Sequence, residues 1–392
     1  MKSVEEQNKE RHDPPVGLVN HPLIKTKFLV PPLRDGFVPR SNLFEKLEQG
    51  THRALTLICA PAGYGKTSLL SEWINTRKKM GASPPLTICW VSLDSGDNDP
   101  IRFLTYLTAA LENAHPEVTE EARSLLQSSR YLNPQTPISI LINNLQEIQN
   151  SLSLVLDDYQ FISNQTIHDG ITFLLEHIPF NVHLVIATRS DPPLPLARLR
   201  SYNQLTELRA NDLRFSTSEA TSFLKTICNL SLTPDQISTL ENRTEGWIAG
   251  LQMAAISMQG HSDITQFIDA FSGSHRFIMD YLTEEALNRQ SDEIKEFLLS
   301  TSILERLSGS LCDYVLARES DNEANALPSI NDLSFIQGKS KNLLNDLERS
   351  NLFIIPTDEV RIWYRYHHLF ADILRTRLKQ TSPELIPILH MR

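Results

Sequence analysis

Residues 54–73 run from an apolar stretch (ALTLICA) through a loop with two glycines (PAGYGKT) into a helical pattern (SLLSEW). A short, nearly continuous apolar run reads as a strand buried on both faces, the mark of a parallel sheet. The loop Ala60-Pro61-Ala62-Gly63-Tyr64-Gly65-Lys66-Thr67 fits the relaxed phosphate-binding pattern G-x-x-x-x-G-K-[ST], with Ala60 where the strict form has glycine. Strand, loop and helix in this order commit the chain to α/β architecture, because parallel strands must be joined by crossovers.

Four further runs repeat the strand signal: LTICWVSL (86–93), LSLVLDDY (152–159), VHLVIATR (182–189) and, more weakly, LTELRA (205–210). Helical patterns such as TSLLSEWINTRKK and IRFLTYLTAALENA lie between them. The expectation is a P-loop NTPase fold over residues 28–213, a parallel sheet with helices on both faces. Residues 214–275 read as a helical domain, with SEATSFLKTICN and TPDQISTLENR each opening on a Ser or Thr cap and an early acid. From 276 to 380, helices precede two short strands, LFIIPT and VRIWYRYH, about a turn at Asp358–Glu359. This predicts a winged-helix domain. Residues 1–27 read as a flexible tail, 317–341 as a polar loop, and 381–392 as the start of a further helical domain.

Composition narrows the function. The chain has 392 residues, 41% hydrophobic and 21% charged, which suits a soluble multidomain protein. No apolar run is long enough for a membrane span, and the polar N-terminus is no signal peptide, so a cytoplasmic protein without a membrane partner is expected. The net charge of −10 argues against DNA binding by charge alone. Arg361, Arg365, Arg375, Arg377 and Lys379 form the densest basic stretch and read as a solvated helix face. The four cysteines match neither a zinc knuckle nor a disulfide framework, and read as reduced, mostly buried thiols.

The loop dictates its own chemistry. Gly63 and Gly65 let backbone N–H groups wrap phosphate oxygens without a Cβ in the way. Lys66 brings a point charge to the β- and γ-phosphates, Thr67 a hydroxyl to Mg²⁺, and Ser68 follows in a first helical turn whose dipole favours an anion. Asp157 and Asp158 end the apolar run LSLVL, where a second acidic motif places a metal-binding carboxylate. Asp157 is expected to hold Mg²⁺ and Asp158 to orient an attacking water. Arg189 ends the next run and suits a sensor of the γ-phosphate; the plainer alternative is a salt bridge to Asp191.

Taken together, LVPPLRDGFVPR, APAGYGKTSL, WVSLDSGDNDPIRFLTYL, LVLDDYQFI, ATRSDPPLPLARLR, LRFSTSEA, RTEGWIAGLQMAA and WYRYHHLFADIL resemble the MalT-class, ATP-dependent LuxR-type transcription regulators. These are signal-transduction ATPases with numerous domains, and the resemblance covers roughly residues 23–390. It implies a switch: ADP held closed among three domains, ATP and an inducer opening it, self-association in the ATP state, and slow hydrolysis as the reset. Carried over by motif, Val38 and Arg40 approach adenine and ribose, and His367 touches the β-phosphate in the closed form, with His368 as the competing choice. The family's Gly-x-Pro, whose proline packs on adenine, is replaced here by Gly246-Trp247-Ile248. Inducer and DNA are expected to act through domains outside these residues. Two other readings stay open: a turnover ATPase or small-molecule kinase, and a scaffold that has lost nucleotide binding.

Overall fold

A computed structural model describes residues 22–33, 36–81, 85–128, 133–259, 264–317 and 338–392. Its centre is a five-stranded sheet in the order β2-β3-β4-β1-β5, with β1 at Leu55–Cys59, β2 at Leu86–Ser92, β3 at Ser151–Asp157, β4 at Val182–Thr188 and β5 at Leu205–Arg209. All four pairings are parallel. The P-loop NTPase fold expected from the strand–helix alternation is the fold observed. Alternate residues of each strand feed opposite layers, as the period of two requires. Leu154, Leu156, Leu184 and Ile186 meet the helices Pro100–Glu112, Gln135–Leu145 and Gln165–His177. Ile58, Val155, Val185 and Leu208 face a larger core shared with Trp73 and the C-terminal domains.

The chain leaves the sheet through Arg214–Phe215 and enters four helices: Thr217–Thr221 continued by a π-helical turn Ser222–Ile227, then Pro234–Thr244, Ile248–Met258 and Ile264–Ala270. Two open on capping boxes, Ser216 with Glu219 and Thr233 with Gln236. Each box satisfies N–H groups that the first turn leaves orphaned.

The last unit carries helices Arg276–Leu282, Asp292–Thr301, Gly309–Leu316, Lys339–Arg349, His368–Thr381 and Leu385–Met391. A second π turn, Thr283–Leu287, extends the first of them. The wing is β6 (Ile354–Pro356) antiparallel to β7 (Tyr364–Tyr366), with Leu307 bridged to Tyr364. Its turn is closed by Asp358, whose Oδ1 accepts from the N–H groups of Ile362 and Trp363 at 3.0 and 3.1 Å.

The packed chain starts earlier than its charged N-terminus suggests. Lys27, assigned to a flexible tail, is buried, pairs with Asp94 (2.8 Å) and Asp97, and lies 4.4 Å from the ring centroid of Tyr106. A buried ammonium is tolerated because these anions neutralise it. Residues 1–21 of that tail and most of the polar loop, 318–337, lie outside the described residues. Among the described residues no helix is long and apolar enough to cross a membrane. The cysteines are free; Cys59, Cys89 and Cys312 are buried and Cys228 partly so.

Candidate phosphate-binding site

Gly63 and Gly65 take φ of +77° and +78°, the left-handed region that glycine enters without strain, and the Lys66–Met80 helix begins at once. The loop hugs the helical domain. A methyl group at Gly63 would come within 2.6 Å of Ala249 Cβ and 2.8 Å of Trp247 Nε1. Trp247 Nε1 donates to the Ala62 carbonyl at 3.0 Å, and Ala249 N donates to the Gly63 carbonyl at 3.1 Å.

Lys66 is buried, and its ammonium donates to the carbonyls of Ala60 (2.7 Å) and Pro61 (3.0 Å). Burial, and after it the charge of Arg189, lowers its pKa to about 8, against the pull of Asp158 and Asp157. Thr67 Oγ1 donates to Asp157 Oδ2 at 2.9 Å. Burial, then the neighbouring charge of Asp158, raises the Asp157 carboxyl to about 6, while the Thr67 bond works the other way. Asp158 sits in the left-handed region (φ +59°), and its Oδ1 accepts from Gln160 Nε2 at 2.8 Å. Gln160 Oε1 in turn accepts from the backbone N–H of Arg189 at 3.1 Å. The tips of β1, β3 and β4 thus bring Lys66, Thr67, Asp157, Asp158 and Arg189 to one edge of the sheet.

A hydroxyl and a carboxylate at contact distance suit Mg²⁺, which takes one or two protein oxygens and completes its octahedron with water and phosphate. Among the described residues no group of three or more His, Cys, Asp or Glu could hold a metal by itself. The donor set therefore fits a metal that arrives with phosphate oxygens.

Arg189 is not paired with Asp191, which bonds Arg209 instead. Its Nη1 lies 2.6 Å from Glu285 Oε2, and its carbonyl accepts from Asn351 Nδ2 at 3.0 Å. Arg40 is buried, with its donors spent on the chain itself: Nη1 to the Leu213 carbonyl (2.9 Å), Nη2 to the Arg214 carbonyl (2.8 Å) and Nε to Glu219 (2.8 Å). Its guanidinium also lies over Phe215, 5.0 Å from the ring centroid. Arg40 thereby ties the helix Ser41–Gly50 to residues 213–219. Val38 beside it is buried.

His367 is fully buried behind Trp247 and Phe353, with ring centroids 6.0 and 5.8 Å away. Its Nε2 is 2.9 Å from the Thr244 carbonyl, which assigns the proton there, and Nδ1 has no partner among the described residues. Burial first of all lowers its pKa to about 4, so the ring is neutral. In this arrangement the imidazole serves the helical domain rather than the loop. His368 is exposed, and its N–H donates to Glu245 Oε1 at 3.1 Å.

Glu245 was not legible as a site residue, yet it joins the domains. It ends the Pro234–Thr244 helix at φ +51°, with its side chain 7% exposed. Both carboxylate oxygens accept from Arg365 at 2.7 Å, and Arg214 lies 3.6 Å away. Burial opposes its charge, but the Arg365 bonds, the His367 ring and the His368 N–H hold it at about 2.

The family described as the MalT winged helix domain matches residues 283–386. Over 372 residues the chain is 32% identical to the HTH-type transcriptional regulator MalT of Klebsiella pneumoniae, covering 94% of this chain and 38% of that protein. The chain is similar to the MalT class of regulators over nearly all of its length. It is also 30% identical over 360 residues to the serine/threonine-protein kinase PknK of Mycobacterium tuberculosis, covering 91% of this chain and 30% of that one. The chain spans about a third of the length of these curated relatives. The Walker-type ATPase PABY2304 of Pyrococcus abyssi has the same fold, with a TM-score of 0.56 at 16% identity, over 88% of this chain and 97% of that one.

Proposed function

We propose that this chain is the nucleotide-binding switch of a MalT-class regulator. ATP or ADP would be held by residues Ala60–Ser68, and Thr67 and Asp157 would hold Mg²⁺. The observation that carries the reading is the 2.9 Å contact between the Thr67 hydroxyl and the Asp157 carboxylate beside the Lys66 ammonium. Bound Mg²⁺ would offset charge on the phosphates. Lys66 leaves the Ala60 and Pro61 carbonyls to meet the β-phosphate, and Asp158 holds Gln160 so that a water can be oriented at the strand tips.

Two relatives that share this stretch are named for different activities, a transcriptional regulator and a protein kinase. A module common to both is best read as a control element, which favours a switch over a turnover enzyme. In the closed form, Trp247 and Ala249 hold the loop against the helical domain with the winged helix docked, and ADP would be bound. ATP opens the arrangement and promotes self-association, and slow hydrolysis resets it in the cytoplasm. Inducer and DNA act through other parts of the protein. A ligand shifts such a two-state element only by its difference in affinity for the states.

The test is calorimetric titration of the chain with Mg-ADP and Mg-ATP. Binding in the wild type and its loss, by more than about 100-fold, in Lys66→Ala supports the reading. Equal affinities would leave the loop without a role. Phosphate release well above about one per second would replace the switch with an ordinary ATPase.

A further inference from the structure

We infer that Glu285 is an internal stand-in for a phosphate oxygen: it occupies Arg189 and must yield it when a nucleoside triphosphate binds. This rests on the nucleotide reading above and adds the residue that distinguishes triphosphate from diphosphate.

Arg189 follows the last residue of β4, and Ala60 N donates to the Thr188 carbonyl at 3.2 Å. The arginine therefore springs from the register neighbour of the loop's first residue. Its charge also depresses the proton affinity of Lys66, so both cations act on one small volume. Glu285 reaches Arg189 from the other side. It lies on the π turn Thr283–Leu287, four residues after Tyr281, whose hydroxyl would stand 3.1 Å from a Cβ at Gly63. The helix carrying both residues thus lies against the loop, and π turns recur where a side chain has to be re-aimed for function.

The pair is built rather than incidental. Arg189 and Glu285 side chains are only 25% and 21% exposed, and Nη1–Oε2 is 2.6 Å. Glu285 Oε1 accepts from Arg289 Nη2 at 2.9 Å, which orients the carboxylate towards Arg189. A carboxylate offers a guanidinium the same paired oxygens as a phosphate. A diphosphate leaves the pair intact. The terminal phosphate of a triphosphate competes with Glu285 for the same donors, and its success frees the helix that opens the winged-helix domain. Triphosphate binding and release of that helix become two sides of one exchange.

The experiment is titration of Mg-ADP and Mg-ATP into the wild-type chain, Glu285→Gln, Arg189→Ala and the double variant. Glu285→Gln should bind ATP about five- to tenfold more tightly while ADP changes less than about twofold. In the Arg189→Ala background the same change should do nothing. Arg289→Gln, which loosens Glu285 without touching Arg189, should shift ATP affinity in the same direction by a smaller factor, and serves if Glu285→Gln does not fold. Parallel shifts for both nucleotides, or a Glu285 effect that survives without Arg189, would overturn the assignment alone. Failure of the wild type to bind either nucleotide would overturn the switch reading and this inference with it.

Discussion

Asp157 accepts a hydrogen bond from the Thr67 hydroxyl at 2.9 Å across 90 residues of sequence. Burial, with Asp158 adding to it, raises this carboxyl to about 6. A raised pKa means the folded protein binds the proton more tightly, so the associated stability is full below about 4 and is lost as pH rises through about 6. In metal-free protein, Asp157→Asn should therefore melt higher than wild type at pH 8, by on the order of 2 kcal/mol. The advantage should fade as pH falls towards 4. Thermal denaturation across that range checks this, and two curves with the same pH dependence would count against it. Stabilisation by Mg-nucleotide should be absent from the variant.

Glu245 gives the opposite sign. Its carboxyl is held at about 2, chiefly by Arg365 working against burial, so its contribution is present above about 4.5 and lost as pH falls through about 2. Removing one partner of a buried pair leaves the other charge uncompensated. Glu245→Gln should cost about 3 kcal/mol and loosen the winged helix from the helical domain. Hydrogen exchange is the direct measurement: amides of Tyr364–Thr381 should exchange faster while those of β1 and β4 keep their protection. Uniform acceleration across the chain would mean general destabilisation instead.

His367 is buried and neutral, with its pKa lowered to about 4, mainly by burial. A lowered histidine pKa makes stability complete above about 6.5 and erodes it as pH falls towards 4, because unfolding lets the ring take a proton. His367→Gln keeps a donor for the Thr244 carbonyl and removes the titration. Its melting temperature should fall less steeply than wild type between pH 6.5 and 4. An identical slope would show that other groups govern acid unfolding.

The sheet could be read from sequence because its signal is local. A strand buried on both faces is a run of apolar residues, and β4, expected at 182–189, spans Val182–Thr188. The loop was equally legible, since its glycines and Lys66 act through their own backbone and side chain. What escaped is contact between distant residues. The Arg365–Glu245 pair spans 120 positions, and Arg189–Glu285 spans 96. No periodicity announces such a partner, so Arg189 was weighed against the nearby Asp191. One signal was available: a glycine directly after Glu245 marks a helix end with positive φ, and Gly246 has φ +69°. A side chain at that corner is held rigidly and suits an interdomain contact. The partners of Arg40 and His367, Glu219 and the Thr244 carbonyl, are likewise far away in sequence.

The strand order has a consequence for biosynthesis. β1 has both its hydrogen-bonding neighbours, β4 and β5, far downstream, and β5 ends at Arg209. At the usual pace of translation, the roughly 120 residues from the loop to the end of β4 represent about 6–24 seconds during which β1 has been made but lacks both partner strands. The loop of the proposed nucleotide site therefore has no anchored strand beneath it until β4 has left the ribosome, and the edge strand β5 completes its support only after that.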